Sequence, residues 1–198
     1  MHDISVTAHA GALRTRPNTL PSVLAALACG ADILELDVRF LPDGTPALGH
    51  NQVDSRSPAL EAAFGLMQNH ATRVNLDMKE TSHAARVAEL VVQYGLQGRA
   101  FLTGIEEKHV PAVRDCGLPY YLNSPDIAAA LELGALGPNI HYSNCTEALV
   151  KAAHARGLLV SVWTADRRAV MREMLRMGVD NITTRRPDVL RKVMRHAS

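Results

Sequence analysis

Eight times along this chain a short apolar, β-favouring run is followed by a helix-like stretch. The strand-like runs begin at Ile4, Ile33, Val74, Ala100, Tyr120, Ile140, Leu158 and Asn181. Helical signals cover residues 20–29, 59–68, 82–94, 106–116, 125–133, 146–156, 166–177 and 187–195. Gly30, Gly95, Gly117, Gly134, Gly157 and Gly178 stand where such helices would end, because glycine accepts the left-handed turn that closes a helix. Alternation of strand and helix calls for a parallel sheet with crossover helices. An open doubly wound sheet needs fewer strands, and no Gly-x-Gly-x-x-Gly follows the first one. Eight units closing on themselves make a (β/α)8 barrel, for which about 200 residues is the low end of the usual size. At 198 residues, the expectation is a compact α/β TIM barrel forming one domain over residues 1–198.

The second strand carries an unusual load. In Ala31-Asp32-Ile33-Leu34-Glu35-Leu36-Asp37-Val38-Arg39, side chains alternate between faces. Glu35 and Asp37 therefore share one face, while Leu34, Leu36 and Val38 share the other. So dense an apolar run suits a strand buried on both faces. Two neighbouring carboxylates there repel each other and lose hydration, so they stay ionised only if cations or donors answer them. An ion pair with nearby arginines at a wet strand end and a metal site both satisfy that demand.

Other reactive types fall where barrels place them, at the C-terminal ends of strands and in the loops that follow. His9 ends the first strand, and His50 ends an extended piece over residues 45–50. The strand over residues 73–79 sends Asn75, Asp77 and Lys79 to one face. Three carboxylates without a cysteine cluster favour hard oxygen ligation, hence Mg²⁺ or Ca²⁺ before Zn²⁺. Two histidines beside such a cation fit acid–base chemistry at phosphorus, one taking a proton from the nucleophilic hydroxyl and the other protonating the leaving oxygen. Lys79 could instead serve as a Schiff-base nucleophile, although neighbouring acids would raise rather than lower its pKa.

Composition narrows the partners. A net charge of +1 gives no general reason to expect nucleic acid or an anionic membrane surface. Cys29, Cys116 and Cys145 are far apart, as free cytosolic thiols would be. No apolar run reaches the roughly 18 residues of a spanning helix, and the first residues lack the pattern of a signal peptide. The expectation is a cytoplasmic protein acting on a small molecule. The basic stretch over residues 185–195 is expected to be a solvated helix face.

The segments Ala8-His9-Ala10-Gly11-Ala12, Asn18-Thr19-Leu20, 30–38 and 43–50 resemble the glycerophosphodiester phosphodiesterase family. So do Val74-Asn75-Leu76-Asp77-Met78-Lys79, Val162-Trp163-Thr164 and 178–188. The resemblance implies a barrel that hydrolyses glycerophosphodiesters with a divalent metal, through a cyclic phosphate. It implies His9 and His50 as the acid–base pair and Glu35, Asp37 and Asp77 as metal ligands. Lys79 and Trp163 would line the substrate pocket. The chain departs from the family where an arginine usually follows the first histidine, since that position is Ala10. It also has Pro17 before the Asn-Thr pair, Asn51 after the second histidine, and only residues 51–72 where an insertion usually covers the glycerol site. Arg14, Arg16 or Lys79 would then have to supply the cation for the phosphate. The thin cover leaves room for a bulkier phosphodiester or for a second subunit in a homo-oligomer. A non-catalytic relative that only binds a phosphodiester stays open on these departures.

Overall fold

The computed structural model describes residues 4–196. Among them the alternation becomes β1 (Ser5–Ala8), β2 (Ile33–Phe40), β3 (Pro46–Leu48), β4 (Arg73–Met78), β5 (Ala100–Ile105), β6 (Tyr120–Leu122), β7 (Asn139–His141), β8 (Ser161–Trp163) and β9 (Asn181–Thr184). The helices are α1 (Leu20–Ala28), α2 (Leu60–Met67), α3 (Ala84–Gln93), α4 (Val110–Arg114), α5 (Ile127–Glu132), α6 (Glu147–His154), α7 (Arg168–Met177) and α8 (Pro187–Arg195). Strand order is β6-β5-β4-β2-β1-β9-β8-β7. The ends meet through a parallel bridge between Leu122 and Pro138 and a 2.9 Å bond from Leu122 N–H to the Gly137 carbonyl. Eight parallel strands thus close into a TIM-type barrel, as the sequence pattern demands.

One element keeps its expected place outside the eight barrel strands, and one is shorter than the sequence suggests, each for a local reason. The extended piece near residues 45–50 pairs outside the barrel path. The turn at Gly44, whose φ is +83°, sends β3 back antiparallel on β2, with Val38 opposite Leu48. The helix expected over residues 106–116 is reduced to α4. Glu106 and His109 form a cap around a 3-10 turn, Glu107–His109, and Pro111 then falls in the first turn of α4, where its missing N–H costs little.

The alternation read from the sequence separates two interiors. Leu34, Leu36, Val38, Val74, Leu76 and Met78 join the large apolar cluster under the helices. Each such side chain, fully buried, contributes on the order of 1.5–3 kcal/mol. The opposite faces of the strands fill the barrel. Ile33, Phe101 and Tyr121 form a separate apolar floor, with the last two rings edge to face. Above it runs a polar layer, in which Thr7 Oγ1 donates to Asn181 Oδ1 at 2.7 Å and Asn181 Nδ2 donates to Ser161 Oγ at 2.9 Å. The acids stand above that layer, at the C-terminal mouth.

Residues 185–195 are not simply a solvated face. Val189, Leu190 and Val193 of α8 are buried. Arg191 donates to the Gly30 carbonyl at 3.1 Å and pairs with Asp32, whose other oxygen accepts from Val6 N–H at 2.7 Å. Asp32 thereby ties α8 to the first strands. Cys29, Cys116 and Cys145 are free thiols, and no helix among the described residues is long and apolar enough to cross a membrane.

Candidate active site

Strand register assembles the mouth. Thr7 pairs with Ile33 and Ala8 with Leu34, so His9, one residue past β1, comes level with Glu35. On the other side of β2, Glu35 pairs with Asn75 and Asp37 with Asp77. Next along the barrel, Thr103 pairs with Asp77. One carboxylate oxygen from each of Glu35, Asp37 and Asp77 lies within 4.8 Å of the others. Glu35 and Asp37 are buried, and Asp77 is half-buried.

The imidazoles approach this cluster from two sides. His9 Nδ1 lies 2.6 Å from the Ala10 carbonyl. A carbonyl only accepts, which places the proton on Nδ1 and leaves the Nε2 lone pair, 3.7 Å from Glu35 Oε1, facing the site. His50 Nδ1 lies 3.3 Å from Asp37 Oδ2, and its ring is 61% exposed. The His50 backbone is itself held, because Arg39 Nε donates to its carbonyl at 2.9 Å.

Asp37 is the most heavily partnered acid. Lys79 Nζ lies 3.0 Å from its Oδ1 and also pairs with Asp77 Oδ2. Asn18 Nδ2 donates to its Oδ2 at 2.8 Å. Asn18 is free to do so because Thr19, not Asn18, caps α1, exchanging hydrogen bonds with Ser22. The reach requires a left-handed backbone at Asn18, with φ at 58°. Thr103 Oγ1 lies 2.8 Å from Asn75 Oδ1 and 3.2 Å from Asp77 Oδ1. Gly104 lets β5 pass close to Asp77, since a Cβ there would stand 2.7 Å from Asp77 Oδ1.

The electrostatics follow from this arrangement. Burial, then the charges of Asp77 and Asp37, push the Glu35 carboxyl well above the usual carboxylate range. Burial pulls Asp37 the same way, but Lys79, Asn18 and His50 overcome it and hold its carboxyl low. Burial would lower the Lys79 ammonium, yet Asp77 and Asp37 hold it above its ordinary value. A lysine fixed as a cation is a poor Schiff-base nucleophile, so the geometry speaks against the aldolase-type alternative. Burial also lowers His9, keeping its ring neutral. Three acids against one ammonium leave the cluster short of positive charge. Converging hard oxygen donors with that deficit could hold a metal ion.

His9, Glu35, Asp37, His50, Asp77 and Lys79, singled out in the sequence, therefore meet. Arg14, Arg16 and Trp163 stand further out on the rim. Arg14 and Arg16 are exposed, and Arg16 borders a cleft of about 1120 Å³ together with His50 and Arg56. Asn51, Gln52, Val53, Asp54, Ser57 and Pro58 line it as well. Trp163 closes β8, is 37% exposed, and stands edge-on to the His141 ring at 5.3 Å. Asn18, Arg39, Thr103 and Arg185 went unmarked as site residues. Of these, Asn18 and Arg185 carried a signal only as members of the segments Asn18-Thr19-Leu20 and 178–188.

Carboxylates, a lysine and two imidazoles ringing the mouth of a parallel barrel define the class as a barrel hydrolase equipped for an anionic substrate. Known proteins make the class specific. The sequence pattern of the "Glycerophosphoryl diester phosphodiesterase family" matches residues 9–61 and 100–189. A glycerophosphodiester phosphodiesterase of Caldanaerobacter subterraneus is 23% identical, with 96% of this chain and 97% of that protein covered. The crystal structure of a glycerophosphodiester phosphodiesterase from Parabacteroides distasonis superposes with a TM-score of 0.86 at 23% identity, covering 100% of this chain and 99% of that one. A phosphodiesterase of Oleispira antarctica, in complex with the product sn-glycerol-3-phosphate, gives a TM-score of 0.85 at 19% identity, with 96% of each chain covered. The chain belongs to the glycerophosphoryl diester phosphodiesterase family, and its enzyme class is phosphoric diester hydrolase. Asp77 and Lys79 fall between the two matched segments, so their place in the site rests on geometry.

Proposed function

We propose that this chain hydrolyses a glycerophosphodiester, or a related small phosphodiester, by acid–base catalysis between His9 and His50. The observation that carries it is the meeting of two imidazoles with a three-carboxylate cluster, His9 Nε2 beside Glu35 and His50 Nδ1 beside Asp37. Glu35, Asp37 and Asp77 would hold a divalent cation, Mg²⁺ or Ca²⁺. When bound it would offset charge on the phosphoryl oxygens and orient them.

His9 has the features of the base. Its Nδ1 proton is committed to the Ala10 carbonyl and its ring is kept neutral by burial. Nε2 can therefore accept a proton from the attacking hydroxyl. His50 takes the other role, since Asp37 backs its Nδ1 while the exposed ring leaves Nε2 toward the leaving alcohol. A neighbouring glycerol hydroxyl attacks phosphorus, its proton passes to His9, the P–O bond to the alcohol breaks, and His50 protonates the departing oxygen. Water then opens the cyclic phosphate with the two roles reversed. Trp163 flanks the mouth from the β8 side, while Arg14 and Arg16 flank it from the loop after β1. The open cleft beside His50 suits a leaving alcohol larger than glycerol.

Release of alcohol from glycerophosphodiesters with Mg²⁺ or Ca²⁺, and its loss with EDTA, tests this reading. His9→Ala and His50→Ala should each lower the rate by about 10²–10⁴. Turnover that persists without metal, or in both variants, overturns it.

A further inference from the structure

A phosphodiester anion entering a mouth lined by three carboxylates needs a cation on its own side of the site. Lys79 is already shared between Asp37 and Asp77, and Arg14 and Arg16 are exposed. The last strand supplies another candidate. Ala8 pairs with Thr184, and His9 N–H donates to the Thr184 carbonyl at 3.0 Å. Arg185, the next residue, therefore stands at the C-terminal rim beside His9. The loop after β1 is bonded to it as well, Leu13 N–H donating to the Arg185 carbonyl at 2.9 Å.

The Arg185 side chain is held in place. Asp166, in the loop after β8, accepts from Arg185 N–H at 2.8 Å through Oδ1 and from Arg185 Nη1 at 2.9 Å through Oδ2. Thr184 Oγ1 donates to the same Asp166 Oδ1 at 3.1 Å. One carboxylate thus fixes both the backbone and the guanidinium. The bond to Asp166 uses one of the five N–H donors of the guanidinium, whose planar fork matches two oxygens of a phosphate. The side chain is 52% exposed, so an incoming anion can reach it. Its charge is felt at the His9 ring, which agrees with that placement.

We propose that Arg185, braced by Asp166 at the rim beside His9, receives the phosphoryl oxygens of the substrate. It would fix the phosphate next to the imidazole that takes the proton, a role for which the sequence offered Arg14, Arg16 or Lys79. The proposal rests on the phosphodiesterase reading above for its substrate, but not for its ligand chemistry, which is a phosphate anion.

The test compares wild type with Arg185→Gln, Arg185→Lys and Arg16→Gln in the Ca²⁺-loaded protein. It measures inorganic phosphate binding by calorimetry, KM and kcat on a glycerophosphodiester, and the rise in Tm on adding Ca²⁺. Arg185→Gln should weaken phosphate binding and raise KM by roughly 10- to 100-fold, as loss of a charged hydrogen bond does. The Ca²⁺-induced Tm rise should stay intact, which separates a lost anion contact from a collapsed site. Arg185→Lys should recover part of the loss, since it keeps the charge without the fork. Phosphate binding and KM unchanged in Arg185→Gln overturn the proposal, as does a loss confined to Arg16→Gln. If Arg185→Gln does not fold, Asp166→Asn, which loosens the guanidinium, must weaken phosphate binding, and an unchanged value there is equally fatal. Should wild type bind phosphate without turning over any phosphodiester, the functional reading fails while calorimetry still decides the role of Arg185.

Discussion

Lys79 Nζ lies 3.0 Å from Asp37 Oδ1 and also pairs with Asp77. The ammonium thus occupies two of the acids that would hold a divalent ion. It acts as a resident counter-charge that keeps the cluster compact.

Replacing it should expose that function. Lys79→Met keeps most of the length of the side chain and removes the charge, leaving buried acids uncompensated. Breaking a buried pair costs about 3 kcal/mol or more, so Tm without metal should drop by about 6–12 °C in a chain this size. Ca²⁺ should restore most of the loss. Thermal unfolding with and without Ca²⁺ measures both, and an unchanged Tm without metal would mean Lys79 balances nothing.

Glu35 carries the opposite sign. Its folded-state carboxyl is raised well above the usual range, by burial first and by Asp77 and Asp37 next. Its contribution to stability is therefore fully present below the unfolded value, about pH 4.3, and is lost as pH rises through the raised folded value. The metal-free protein should lose stability over that rise, and Glu35→Gln should flatten the dependence. The same variant should lose its stabilisation by Ca²⁺. Denaturant unfolding from acidic to neutral pH, repeated with Ca²⁺, tests both halves.

Asn18 offers a cleaner probe of positioning. Its amide steadies Asp37 from a left-handed backbone. Asn18→Gly removes the amide and relaxes the backbone at once. Metal affinity should fall by roughly tenfold or more, as is usual when a partner behind a metal ligand is lost. Tm without metal should move little. Calorimetric Ca²⁺ titration reads the first effect.

Gly104 can be compared with Gly30, because both have positive φ. A Cβ at Gly104 would meet the Met78 carbonyl at 2.3 Å and Asp77 Oδ1 at 2.7 Å, while one at Gly30 meets nothing within 4 Å. Gly30→Ala should cost only the backbone strain, about 1–2 kcal/mol. Gly104→Ala should cost more and should also weaken Ca²⁺ binding. Equal losses in the two variants would count against close packing behind Asp77.

The barrel was legible because its signal is repeated. Glycine stops and apolar runs recur often enough to outweigh errors of a few residues at each boundary. Glu35 and Asp37 were legible because period-two alternation on a buried strand forces both into one interior. What escaped depended on pairing between distant segments. Arg185 belongs to the same basic run as the face of α8, and only the register of β9 against β1 separates it from that helix. Asn18 and Thr19 are neighbours with equal capping chemistry, and the choice between them is made by Asp37, nineteen positions away. Residues 45–50 already stood apart from the eight expected barrel strands, but their extended form alone did not tell that 46–48 would pair back on β2.

That fold-back divides the two imidazoles between different kinds of support. His9 sits on the end of a barrel strand, within the hydrogen-bonded wall. His50 hangs from an excursion outside that wall, secured by Arg39 and by one contact to Asp37. Length and composition between residues 50 and 58 can therefore drift without touching barrel closure or the acid cluster. If His9 and His50 share the reaction as proposed, such a chain could exchange one leaving alcohol for another by editing a single external strap, while the half centred on His9 stayed fixed.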